Sequence, residues 1–231
     1  MRRILLLLVL LPTLFSCRSN GVRDFWPAEG IAYDDIDAAK DRLARFAELA
    51  VAAPQPEALA AMDVLFDSLL TDPVAYYLYS DWMDAAFYSL HSPCRDADLY
   101  GKAVDRMVSD SVLTDADCAP FLQKREWLRL NRKGRPATLP GGPVTERTLV
   151  LVLDLGCPSC REALETLAAD PRWSGVPKRA IGCGYGPRPD VPGWDYRFPG
   201  DAAAVFDPHL TPVYFVVAAD GTVEQPYTLA I

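Results

Sequence analysis

The sequence predicts an α+β chain, with an all-helical N-terminal domain followed by an α/β domain built on a central mixed sheet. Three observations carry that reading. Over residues 34–130 apolar side chains recur at helical spacing, punctuated by prolines and by aspartates able to cap helices. From residue 144 the pattern changes to short apolar runs separated by turn residues, the mark of strands. Between them lie Leu130-Asn131-Arg132-Lys133-Gly134-Arg135-Pro136 and Pro140-Gly141-Gly142-Pro143, so residues 131–143 read as a linker.

Ahead of both domains, Arg2 and Arg3 precede an uninterrupted apolar run over 4–11, and Leu14-Phe15-Ser16-Cys17 follows. A charged start and a short hydrophobic stretch make an export signal over residues 1–16, too short for a permanent membrane span. An ordinary secretory signal with Cys17 as a bystander fits the same residues. Residues 17–33 read as a tether. Without Arg2 and Arg3 the 23 basic residues fall to 21 against 31 acidic ones, a body of strongly negative charge. No cluster of Lys and Arg is present to neutralise phosphates, so nucleic acid is not expected as a partner. The acidic body likewise offers anionic lipid nothing to attract.

Asp34 or Asp35 caps a first helix running to residue 53, with Ile36, Ala39, Leu43, Phe46, Leu49 and Ala50 on one stripe. Pro54 and Pro56 end it. Pro56 also suits the first turn of the next helix, over 57–70, where Leu59, Met62, Leu65, Phe66 and Leu69 recur. Asp72 caps a third helix with Pro73 in its first turn, continuing to residue 90. Its aromatics Tyr76, Tyr77, Tyr79, Trp82, Phe87 and Tyr88 spread over more than one face, as in a central helix packed on both sides; a binding groove is the other reading. Helices over 96–108 and 117–130 complete the set. His91 has no acidic or cysteine companion at metal spacing and reads as a surface or capping residue.

In the second half, the nearly continuous apolar run 148–155 reads as a buried central strand. It leads into Cys157-Pro158-Ser159-Cys160, and residues 161–169 read as helix. Strands follow over 178–183, 213–217 and 222–225. Ala219-Asp220-Gly221 makes the hairpin turn between the last two, and a brief helix or turn over 201–206 precedes them. Two thiols at the Cys157/Cys160 spacing, where strand meets helix, are what a reversible dithiol requires. Unpaired amides in the first helical turn favour the Cys157 thiolate and make it the nucleophile. Cys160, one turn on, is placed to resolve the mixed disulfide that Cys157 would form. Half a zinc knuckle has the same spacing, but the remaining cysteines and two histidines supply no second half, so no metal is expected. The glycines over 182–186 are too few and lack a following helix for a dinucleotide loop, so no cofactor is expected. No G-x-S-x-G occurs, and neither His91 nor His209 belongs to a recognisable nucleophile turn, which disfavours hydrolase and peroxidase chemistry. His209 reads as a polar loop residue, or as a charge near the dithiol.

The order strand, Cys-x-x-Cys helix, strand, helix, antiparallel hairpin is that of thioredoxin, and residues 144–231 resemble a thioredoxin-like domain. Three features carry this: the strand feeding Cys157-Pro158-Ser159-Cys160; Thr211-Pro212 at the start of the next-to-last strand; and Val213-Tyr214-Phe215-Val216-Val217-Ala218-Ala219-Asp220-Gly221-Thr222-Val223, which is similar to the hairpin of TlpA/ResA-like thioredoxins. The helical part, with His91-Ser92-Pro93, Asp98-Leu99-Tyr100 and Leu130-Asn131-Arg132-Lys133-Gly134, looks like the DUF5106 region that precedes such a domain in exported proteins of Bacteroidota. Leu14-Phe15-Ser16-Cys17 resembles a bacterial lipobox.

The resemblance implies a lipid anchor on Cys17 and a place in the cell envelope of a Gram-negative bacterium, facing the periplasm. It implies a cis Thr211–Pro212 bond facing the dithiol, with Thr211, Pro212, Pro158 and Ser159 meeting an extended substrate segment. The activity implied is thiol-disulfide exchange with disulfide-bearing exported proteins, more as a reductase than as an oxidase, by a monomer supplied with electrons by a membrane thiol donor. Three departures stand out. Gly156 replaces the usual Trp before the first cysteine, Leu151 stands where a buried acid assists the second cysteine, and Ala163 stands where a glutamate follows the motif. Asp154, on the other strand face by parity, and Glu162 are the remaining candidates for proton transfer. Cys94 and Cys118, 24 residues apart, read either as a structural disulfide or as two core thiols. Cys183 reads as a core thiol or a third redox participant. The competing function is a non-catalytic periplasmic scaffold that keeps the fold without the activity.

Overall fold

A computed structural model describes residues 21–183 and 186–230. The expected signal peptide and Cys17 lie outside the described residues. The expected tether holds structure of its own: a 3-10 turn at Val22–Asp24 runs into α1 (Phe25–Glu29), and Val22, Phe25 and Trp26 are buried. Trp26 packs 5.1 Å from the Phe46 ring and 5.8 Å from that of Tyr79. Burial of two large aromatics, about 3 kcal/mol or more each, explains why this short segment folds although it is too brief to show a period.

α2 (Ile36–Ala52) starts where the Asp35 carboxylate accepts from the Ala38 amide at 3.0 Å. α3 (Gln55–Leu69) carries Pro56 in its first turn, and α4 (Pro73–Met83) is capped by Asp72 through the amides of Val74 and Ala75. The α-helix expected to reach residue 90 instead passes into a π turn, Asp84–Tyr88. Three donors draw its carbonyls toward the following loop: the Ser92 hydroxyl to Ala86, the Asp96 amide to Phe87, and the Arg95 Nε to Tyr88. α5 (Ala97–Ser109) is capped by Asp96. α6 (Asp115–Arg129) begins two residues before the expected start. Its cap is Thr114, and Asp117 is the reciprocal partner in a capping box. Tyr76, Tyr79, Trp82, Phe87 and Tyr88 all enter one helical core, while Tyr77 is exposed.

The second half holds β1 (Thr148–Asp154), α7 (Pro158–Ala169), β2 (Lys178–Cys183), β3 (Asp195–Arg197), α8 (Ala202–Val205), β4 (Val213–Val217) and β5 (Val223–Leu229). Strand order is β3-β2-β1-β4-β5. β1 runs parallel to β2 and antiparallel to β4, which makes the sheet mixed. β3 was not foreseen because Asp195-Tyr196-Arg197 is a short polar edge. β5 runs past residue 225, and Pro226 is tolerated on that edge. Alternation along β1 splits the packing: Leu149, Leu151 and Leu153 face α7, whereas Val150 and Val152 face Ile181, Cys183, Phe206 and Phe215 on the other side.

The segment 131–143 is bonded to the β4–β5 hairpin. The Gly134 amide donates to Val223 O, the Val223 amide to Arg135 O and the Ala137 amide to Gly221 O, at 2.8–2.9 Å. Asn131 is 3% exposed and bridges Thr138 and the Tyr227 hydroxyl.

Candidate functional site

The turn between β1 and α7 builds the site from backbone geometry. Asp154 Oδ1 accepts from the Gly156 amide at 2.9 Å, and Asp154 O accepts from the Cys157 amide at 3.1 Å. Cys157 is thereby the N-cap of α7, in extended conformation, and Pro158 occupies the first turn, where its missing amide costs nothing. Cys157 is half-buried and Cys160, one turn on, is only 2% exposed.

The two thiols differ in acidity for identifiable reasons. Cys157 Sγ lies 3.1 Å from Ser159 Oγ. That hydroxyl, then the Cys160 thiol and the amides of Cys160 and Ser159, hold the Cys157 thiol below its ordinary range against the opposing effect of burial. Burial pushes Cys160 up to about 12, helped by the adjacent Cys157 and eased in part by the Thr211 hydroxyl. Deprotonation therefore concentrates on the thiol that solvent can reach.

Several residues singled out in the sequence converge here. The Thr211–Pro212 bond is cis, Pro212 is buried, and the Thr211 hydroxyl lies near Cys160 while donating to Pro208 O at 2.8 Å. Ser159 meets Cys157, and Pro158 stands exposed beside it. Others stay apart. The Asp154 carboxylate closes the turn to Gly156, and Glu162 is exposed on the outer face of α7. Leu151 and Ala163 are buried with Cys160 in apolar surroundings. His209 is exposed, and His91 is exposed in the loop after the π turn.

Cys94 and Cys118 are not bridged but stand as separate buried thiols. The Cys118 Sγ donates to Met107 O at 3.5 Å, while Cys94 borders a groove with Leu43, Ala47 and Trp82. Cys183 is buried on the sheet face away from Cys160, and burial with the nearby Asp154 and Asp207 pushes it up to about 11.

Sequence reasoning missed a cleft of about 340 Å³ beside the dithiol, lined by Leu155, Pro158, Leu164, Pro187 and Pro189 with Arg161. Arg161 pairs with Asp190 at 3.2 Å and ties the 187–190 loop to α7. A Cβ at Gly186 would collide with the Leu155 carbonyl, so only glycine permits this approach to the turn. The one signal for this wall was the Pro187-Arg188-Pro189-Asp190 run. Asp207, 6% exposed, was also missed, because nothing local marks it as buried. Among the described residues no group of His, Cys, Asp and Glu is placed to hold a metal, and no helix is long and apolar enough to cross a membrane.

A crystal structure of a thioredoxin-like protein from Bacteroides caccae is similar to this chain, with a TM-score of 0.69 at 16% identity, over 90% of this chain and 87% of the other. A likeness at that identity shows the fold, a thioredoxin-like domain behind an all-helical region. No protein-family model and no curated protein matches the chain.

Proposed function

We propose that the protein is an exported thiol-disulfide oxidoreductase that exchanges disulfides with protein substrates, more as a reductase than as an oxidase. The observation that supports it most is the asymmetry of the dithiol: a lowered, accessible Cys157 at a helix N-terminus, and a buried Cys160 beneath it beside the Thr211 hydroxyl.

In the proposed cycle the Cys157 thiolate attacks one sulfur of a substrate disulfide, forming a mixed disulfide and releasing the other substrate sulfur as a thiolate. Cys160 gives up its proton and attacks Cys157 Sγ. The second substrate thiolate leaves, and the Cys157–Cys160 disulfide holds the two-electron deficit until a membrane thiol donor reduces it. The extended segment around the substrate cysteine lies against the Thr211 main chain, and the cleft of Leu155, Leu164, Pro187 and Pro189 takes a flanking apolar side chain. Lipidation at Cys17, a DUF5106-like character for the helical half and a periplasmic-facing location in the cell envelope belong to the same proposal.

Trapping tests it. Cys160→Ala should accumulate mixed disulfides with exported proteins, released by dithiothreitol and lost in the Cys157→Ala variant. A scaffold function is the second reading, favoured by the apolar Leu151 beside a Cys160 pushed up to about 12. Partners retained equally by Cys157→Ala would establish it in place of exchange.

A further inference from the structure

The loop that carries Thr211 and Pro212 is held from the helical half of the molecule. Tyr88, in the π turn after α4, donates its hydroxyl to Asp207 Oδ2 at 2.6 Å, across 119 residues of chain. The other oxygen of that carboxylate, Oδ1, accepts from the His209 amide at 2.8 Å and caps the 3-10 turn Pro208–Leu210. That turn ends at Thr211, whose hydroxyl donates to Pro208 O and lies near Cys160. A second grip lies a few residues upstream, where Trp127 Nε1 donates to Ala203 O at 3.1 Å. A third is apolar: Leu210 packs against both the helical core and the rear sheet core.

We propose that Tyr88 and Asp207 are positioning residues, through which the helical half sets the Thr211-Pro212 loop against the dithiol; this rests on the dithiol being the exchange centre. A carboxylate this deeply buried is costly unless its oxygens are bonded, and here one bond goes to each side of the domain junction. Displacement of the helical half relative to the sheet therefore strains or breaks the bond that shapes the loop. Tyr88 is itself fixed, since Arg95 Nε donates to its carbonyl at 2.9 Å and its ring packs 5.3 Å from that of Tyr100. The helical half is in this view a part of the substrate-binding apparatus.

The test compares Tyr88→Phe and Asp207→Asn with Tyr76→Phe, which removes a hydroxyl-to-carboxylate bond, to Asp110 at 3.0 Å, wholly inside the helical half. In the full chain, amide exchange over 207–211 should quicken about tenfold in the first two variants, as expected when a buried bond to a carboxylate is lost, and stay unchanged in Tyr76→Phe. With dithiothreitol as donor and insulin as substrate, KM should rise severalfold in the first two while iodoacetamide alkylation of Cys157 keeps its rate and pH profile. Equal effects from Tyr76→Phe, or loss of Cys157 alkylation in step with turnover, would reduce the bond to ordinary core support and overturn the proposal. Wild-type protein inert toward insulin and in trapping would defeat the exchange reading instead, leaving the exchange rates over 207–211 to decide whether the loop is held from the helical half.

Discussion

Alkylation of the dithiol against pH exposes the asymmetry directly. At pH 8 a thiol pushed up to about 12, as Cys160 is, has about one thiolate in ten thousand molecules. Cys157, held below the ordinary thiol value of 9.0, has at least about one in ten. The thiolate ratio is therefore about a thousandfold or more, and the weaker nucleophilicity of the more acidic thiol returns about thirtyfold of it. At least about thirtyfold selectivity for Cys157 remains, before counting the near-complete burial of Cys160. Iodoacetamide at pH 8, read by intact mass, should add one carbamidomethyl group to the folded, reduced protein, mapped to Cys157. Ser159→Ala sharpens the test. A hydrogen bond to a charged group contributes about 1.5–3 kcal/mol, and water replaces much of it at a half-buried thiol, leaving about 1 kcal/mol. Because the hydroxyl stabilises the thiolate, its removal moves the midpoint upward. The rate should fall about fivefold at pH values below both midpoints, by the relation of free energy to populations, and converge with wild type at high pH. Two groups added at equal rates at pH 8, or a Ser159→Ala profile superimposable on wild type, would refute this account of the site.

Three further outcomes follow from the packing. Trp26→Ala should destabilise the protein by about 3–5 kcal/mol in urea unfolding; a change below about 0.5 kcal/mol would return residues 22–33 to the status of a tether. Protein purified without reductant should yield no peptide linking Cys94 to Cys118 on non-reducing digestion, and recovery of that linked peptide would contradict their separate placement. Gly186→Ala should cost about 1–3 kcal/mol in thermal or chemical unfolding, because the new methyl meets the Leu155 carbonyl, and an unchanged midpoint would show that the 186–190 loop is not seated on the turn.

Much of the molecule was legible because its determinants are local. Asp35, Asp72 and Asp96 cap helices through amides two or three residues away, within the span that a sequence pattern samples. The apolar run of β1 and the Cys-x-x-Cys that follows it place both thiols at a strand-to-helix junction without reference to the rest of the chain. The π turn was not legible, because its cause is a loop that returns Ser92, Arg95 and Asp96 to the carbonyls of Ala86, Tyr88 and Phe87. The start of α6 was misplaced because Thr114 and Asp117 both suit a cap, and only the reciprocal bonding shows which one fills it.

By itself the sequence determined the two-part α+β architecture, the helix-cap aspartates, and the placement of Cys157 and Cys160 one turn apart at the start of a helix, each read from patterns among near neighbours in the chain. Tertiary structure alone decided that Phe25 and Trp26 join a core, that Cys94 and Cys118 stand apart, that 131–143 docks on the hairpin, and that Asp207 is buried against Tyr88. Each of these outcomes depends on residues far apart in the chain. No local period encodes such a pairing, and it exists only once burial has brought the two halves together and forced their polar groups to find partners.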